Sequence, residues 1–143
     1  MFIGEYEHSV DAKGRLIMPA KLREGLDEVF MITKGLDGCL FAYSKTEWQV
    51  FEDKLKGLPL TDKNARDFTR FFLAGAAECE FDKQGRFLIA GNLREFAGMT
   101  KEVVIIGVNT RIEIWSKDKW ISYSKDENQN VEEIAKNLTM LGI

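Results

Sequence analysis

Two five-residue stretches hold the residues best suited to recognition chemistry in this chain. Asp11-Ala12-Lys13-Gly14-Arg15 returns as Asp82-Lys83-Gln84-Gly85-Arg86, 71 positions later. In each copy the aspartate can bond the backbone of its own turn, and the glycine can take positive φ. A turn needs those two residues but not the guanidinium that follows them. An arginine at that place can bond a guanine edge bidentately in the major groove, or hold a phosphate. Lys13 and Lys83 add a cation to each turn. The plainer account makes Asp11, Gly14, Asp82 and Gly85 turn-formers and the arginines ordinary solvated charges. The arginine's repetition is what that account leaves unexplained.

Little else suggests catalysis, which needs a nucleophile, a base and a polarising group brought together. His8 is the single histidine. Its neighbour Ser9 falls on the opposite face of an expected strand, so the two make a poor nucleophile–base pair. Cys39 and Cys79 lie far apart with no Cys-x-x-Cys pairing, and with one histidine they lack the spacing of a zinc site. They read as small buried apolar residues. Neither a phosphate loop nor a dinucleotide fingerprint occurs. The expectation is a non-enzymatic protein with no metal, no cofactor and no small-molecule substrate.

The 143 residues carry a net charge of −3, which alone argues weakly against a nucleic-acid partner. The charge is unevenly spread. Between 11 and 23, Lys13, Arg15, Lys21 and Arg23 outweigh Asp11, and between 82 and 94, Lys83, Arg86 and Arg94 outweigh Asp82. No apolar run approaches the roughly 18 residues that span a bilayer. Met1-Phe2-Ile3-Gly4-Glu5 lacks the basic start and apolar core of a signal peptide, so a cytoplasmic protein is expected.

The elements that must position these turns also repeat. Leu16-Ile17-Met18 is echoed by Phe87-Leu88-Ile89, and Leu22-Arg23-Glu24 by Leu93-Arg94-Glu95. Tyr43-Ser44-Lys45 and Trp48 are echoed by Trp115-Ser116-Lys117 and Trp120. Such self-similarity means one supersecondary unit used twice. Each half alone approaches the smallest size that builds its own core, so the halves should complete one another.

Within a unit the pattern predicts a strand at residues 5–10, the Asp-to-Gly turn, and a return strand from Arg15 that makes a hairpin. A short helix follows Pro19, then buried strands at 29–33 and 39–43. Ser44 with Glu47 forms a capping box for a helix carrying Trp48, Phe51 and Leu55. A second helix starts at Thr61 or Asp62, carries Phe68 and Phe72, and stops at Gly75. The second unit predicts strands at 78–81, 86–90, 103–106 and 111–115, with a short helix at 92–96. Ser116 caps a short helix. A polar break at Ser124–Asn130 then precedes a final helix striped by Val131, Ile134, Ala135, Leu138 and Leu141. The helical spacing of the aromatic residues points to core packing over stacking platforms for single strands.

These motifs together resemble the MraZ family of bacterial transcriptional regulators. The resemblance rests on Asp11–Arg15 with Pro19 and Leu22-Arg23-Glu24, on Asp82–Arg86, on the opening Met-Phe-x-Gly-Glu-Tyr, and on Thr69-Arg-Phe-Phe-x-x-Gly-Ala. It implies an α+β, β-rich fold. Tandem AbrB-like swapped-hairpin units would form an intramolecular pseudo-dimer barrel with flanking helices. The units would be residues 5–47 and 76–119, with a helical connector at 48–75 and a C-terminal helical segment at 120–143. It further implies rings of identical chains, a nucleoid location, and binding of double-stranded DNA with repeated short elements near cell-division and cell-wall genes, mainly as a repressor. The DNA-binding residues carried over are Lys13, Arg15, Lys83 and Arg86. The copies differ, with Gln84 matching Lys13 and Ala90 matching Pro19, so equal roles for the two do not follow from the resemblance. The rival reading is a protein-interaction or assembly module of the same fold.

Overall fold

A computed structural model describes residues 1–127 and 130–142. Among these residues eight strands and six α-helices follow in chain order: β1 (Glu5–Ser9), β2 (Arg15–Ile17), α1 (Ala20–Leu26), β3 (Val29–Lys34), β4 (Leu40–Ser44), α2 (Lys45–Lys56), α3 (Lys63–Gly75), β5 (Ala77–Glu80), β6 (Arg86–Leu88), α4 (Gly91–Phe96), β7 (Glu102–Val108), β8 (Arg111–Ser116), α5 (Lys117–Glu127) and α6 (Val131–Asn137). The architecture is α+β, with antiparallel ladders throughout.

The strands pair across the repeats. One sheet runs β1-β7-β8-β4-β3-β5, and a second contains only β2 and β6. The opening strand of each repeat therefore lies on a strand of the other: Tyr6 faces Ile105, and Cys79 faces Phe30. The expected local hairpin is corrected by this exchange. The turn after Asp11 forms, but the strands it joins pair with β7 and β6, not with each other. The physical reason is burial. β1 alternates exposed and partly buried residues, and β7 offers it the buried Val103 and Ile105 that the three-residue β2 cannot. Among the described residues no ladder joins the β2–β6 ribbon to β1 or β5, the edges of the large sheet.

Side chains alternate across a strand, so each face of the large sheet builds its own core. Leu40, Ala42, Ile112 and Ile114 face one layer, with Leu16, Phe87, Leu22 and Leu93 of the ribbon and short helices. Cys39, Phe41, Tyr43 and Trp115 face another, under Trp48 and Leu55 of α2 and Phe72 of α3. Of the aromatic residues at helical spacing, Trp48 and Phe72 are buried in this core and Trp120 packs on Trp115 at 5.3 Å, whereas Phe68 stays 42% exposed with its ring edge on Phe72. A buried carboxylate is accommodated in this layer because it is fully met: Glu113 accepts from Arg111 Nη2 at 2.7 Å and from Trp115 Nε1 at 3.0 Å.

Helix ends follow the sequence. Ser44 Oγ accepts from Glu47 N at 3.2 Å, Asp62 caps α3 by accepting from Asn64 N at 2.8 Å, and Ser116 Oγ accepts from Lys119 N at 3.2 Å. The helix after Ser116 is longer than expected. It runs to Glu127, because Trp120 and Tyr123 both pack on Trp115 and carry it past Ser124. The rest of the expected polar break includes residues 128 and 129, outside those described. α6 buries none of its residues. No described helix is long and apolar enough to cross a membrane.

Candidate nucleic-acid interface

The β2–β6 ribbon brings the two Gly-Arg motifs together. Its register sets Arg15 opposite Leu88, Leu16 opposite Phe87 and Ile17 opposite Arg86. Leu16 and Phe87 are buried on the inner face. Alternation therefore puts Arg15, Ile17, Arg86 and Leu88 on the outer face, with the arginines at diagonal corners. Such diagonal neighbours stand roughly 7–8 Å apart. The turns lie at opposite ends of the ribbon because the strands are antiparallel. Further bonds tie them together: Met18 N donates to Gly85 O at 3.1 Å, and Ile89 N donates to Gly14 O at 2.9 Å.

Each turn is built the same way. Asp11 Oδ1 accepts from the amides of Lys13, at 3.0 Å, and Arg15, at 2.8 Å, while Oδ2 accepts from Arg15 Nε at 2.8 Å. Asp82 repeats this with the amides of Gln84 and Arg86, both at 2.9 Å, and with Arg86 Nε at 2.8 Å. Gly14 and Gly85 take φ of +86° and +76°, which a side chain would resist. The Arg15 amide first, then its guanidinium and the Lys13 amide, hold the Asp11 carboxyl below its usual range. Asp82 is lowered the same way by Arg86 and Gln84.

The aspartate thus has a use that turn chemistry alone does not show. It takes Nε of the arginine and so aims a planar, permanently charged group. The outer nitrogens of the fork are the ones that match guanine or phosphate bidentately. Both arginine side chains keep partial exposure and share a surface, so neither is locked inside the fold. Lys13 and Lys83 are exposed on the turns beside them.

Two further arginines join this cluster. Arg94 of α4 lies over Gly14, and Arg23 of α1 lies over Gly85, each reaching the turn of the other repeat. Arg94 Nε also donates to Ile89 O at 2.9 Å. Sequence reasoning counted their charge but did not place them at the turns. The signal was the repeated Leu-Arg-Glu, whose leucines are both buried beneath the ribbon. Ile17 and Leu88 were also missed as outward-facing residues, because the return strands read as continuous apolar runs.

Among the described residues the catalytic alternative finds no constellation. His8 and Ser9 edge a shallow depression of about 230 Å³ with Glu7, Glu102, Val103 and Lys117. Lys117 there is paired to Glu7 at 3.5 Å. Cys39 and Cys79 are buried in the two cores, and burial pushes both thiols up, that of Cys79 to about 11. Among the described residues, no group of His, Cys, Asp and Glu is arranged to hold a metal ion.

Comparison with known proteins places these motifs in context. A family model described as "MraZ protein, putative antitoxin-like" matches twice, over residues 1–71 and 72–141. The chain is 65% identical to a protein of Acetivibrio thermocellus over 143 residues, all of both chains. It is 62% identical to one of Caldicellulosiruptor bescii and 59% identical to one of Alkaliphilus metalliredigens, again over the whole of both chains. Each of the three bears the name transcriptional regulator MraZ, which is a regulator's name and not an enzyme's.

Proposed function

The chain belongs to the MraZ family, and on that premise we propose that it is a sequence-specific DNA-binding regulator of transcription, acting as a repressor of cell-division and cell-wall genes. One observation carries the reading: Arg15 and Arg86, each gripped by its own aspartate, share the outer face of a two-stranded ribbon. The major groove admits such a ribbon, and arginine is its commonest reader of guanine. Lys13, Lys83, Arg23 and Arg94 surround that face and supply phosphate contacts, which fix register without reading sequence. Units 5–47 and 76–119 each contribute one motif, and the difference between Lys13 and Gln84 makes their contributions unequal.

A net charge of −3 is compatible with this role because the cations are gathered at one surface. A few phosphate contacts per chain become strong binding when several chains act together and their spacing matches the target. The protein accordingly forms a ring of identical chains and binds repeated short elements, in the cytoplasm at the nucleoid. Self-association is supported by α6 and the turn after it. Val131, Ile134, Leu138, Met140 and Leu141 are all exposed there, an apolar stripe that the described residues of its own chain leave open.

A gel-shift titration of promoter fragments with repeated elements, at two salt concentrations, tests the reading. Wild type should lose affinity steeply with salt, and Arg15→Ala should bind roughly 5- to 150-fold more weakly, the range of one bidentate base contact. An Arg15→Ala protein that folds, assembles and still binds like wild type contradicts it. Binding that ignores salt favours a protein-interaction module instead.

A further inference from the structure

The ribbon's outer face is only half cationic. Ile17 and Leu88, at 44% and 58% exposure, fill the corners that Arg15 and Arg86 leave. The core does not demand them, since Leu16 and Phe87 on the inner face already serve it. Each stands directly opposite a guanidinium, Ile17 across from Arg86 and Leu88 across from Arg15. Opposite side chains begin about 4.5–5.5 Å apart. Stacked base pairs rise about 3.4 Å per step. An arginine and its apolar opposite therefore fall within reach of the same or adjacent base pairs. Two side chains are far too little surface for a subunit interface, which needs about 1,000 Å². The apolar group that base pairs offer in the major groove is the C5 methyl of thymine.

We propose that Ile17 and Leu88 read thymine methyl groups beside the bases engaged by Arg86 and Arg15, so that the ribbon recognises thymine together with guanine. This rests on the DNA-binding reading above and adds to it a base that the charges do not specify. Each rung of the ribbon then carries one hydrogen-bonding and one apolar reader. The two rungs are related by the internal repeat.

The test begins with a random-sequence duplex pool, from which the wild-type protein selects its preferred element. That element is resynthesised with deoxyuridine replacing each thymine in turn, which removes only the methyl group. At one or more positions wild-type affinity should fall about fourfold, the worth of one buried methyl-sized group. At those positions an Ile17→Ala/Leu88→Ala protein should show no difference between thymine and uracil. Its dependence on salt should match wild type, because no cation has been removed. Uracil tolerated at every position by wild type overturns the proposal, as does a double variant as sensitive as wild type. A double variant of altered size in solution also overturns it, since the pair would then be an assembly contact. Should that variant fail to fold, the wild-type uracil scan decides alone. If wild type selects no element, DNA binding itself fails and the proposal fails with it.

Discussion

Arg23 lies against Gly85, the turn glycine of the opposite repeat, so closely that a Cβ there would collide with its guanidinium. Arg94 and Gly14 repeat the contact, with the guanidinium carbon 2.9 Å from where a Cβ would stand. These glycines are thus required both for the positive φ of the turn and for the arginine that crosses it.

Gly85→Ala is expected to destabilise the fold by roughly 1–3 kcal/mol, the range for a non-glycine residue held in a sparsely populated backbone region. It should also weaken DNA binding by moving Arg23 aside. In an Arg23→Ala background the same change should cost less in stability. Urea titrations of the four proteins in that cycle give the coupling directly; residues in contact usually couple by roughly 0.5–3 kcal/mol. A coupling of zero would mean that backbone strain is the whole effect.

Acid should loosen the turns in a defined window. The carboxyls of Asp11 and Asp82 sit below the ordinary value of 3.8 in the folded protein, mainly through the amides of Arg15 and Arg86. A depressed carboxyl contributes stability above its unfolded value and loses it as the pH falls through the folded one. Their contribution should therefore be constant above about pH 5, begin to fall as the pH approaches the unfolded value of 3.8, and be lost only once the pH has dropped through the lower folded value. Asp67, lowered chiefly by Lys63, acts in the same window. Chemical denaturation from pH 2 to pH 6 should show a shallower acid decline for Asp11→Asn/Asp82→Asn than for wild type.

Neither thiol should react in the native protein. Cys39 is fully buried and donates to Leu36 O at 3.2 Å, and Cys79 is held near 11 mainly by burial and then by Glu78. A thiolate is the reactive species, so at pH 8 a thiol reagent should label both residues in denaturant and neither without it. Rapid labelling of the folded protein would mean that one of the two cores opens readily.

Ending the chain at Asn130 should leave the fold's stability within about 0.5 kcal/mol, as is usual for surface changes away from packed features. No residue of α6 is buried, so the core loses nothing. Sizing in solution should nevertheless show a smaller assembly and weaker binding to repeated elements. A truncated protein of unchanged size would mean that α6 takes no part in the proposed self-association.

Much of this was legible in the sequence, for identifiable reasons. The turns at Asp11 and Asp82 were found because aspartate and glycine act through their own backbone, which is local information. The caps at Ser44, Asp62 and Ser116 are local in the same way. The expected hairpin was not found, because strand pairing is decided by which partner buries more. Nothing within residues 5–18 states that Tyr6 will lie on Ile105. The MraZ resemblance, through its swapped-hairpin fold, supplied what the pattern could not. Arg23 and Arg94 were seen as charges but not as neighbours of Gly85 and Gly14, since that contact exists only after the repeats have interlocked. The outward aim of Ile17 and Leu88 was hidden in the same way. An apolar run of three or four residues does not say which side faces solvent.

The exchange of strands bears on how the molecule is made. As the chain leaves the ribosome, β1 and β2 emerge with no partner, since β6 and β7 lie 70 to 100 residues behind them. At roughly 5–20 residues per second, the wait is on the order of three to twenty seconds. For that interval the nascent first half is an unfinished sheet, open to chaperones and to the matching half of a neighbouring chain on the same message. Covalent tethering of the two halves favours the correct partner by keeping it the nearest one.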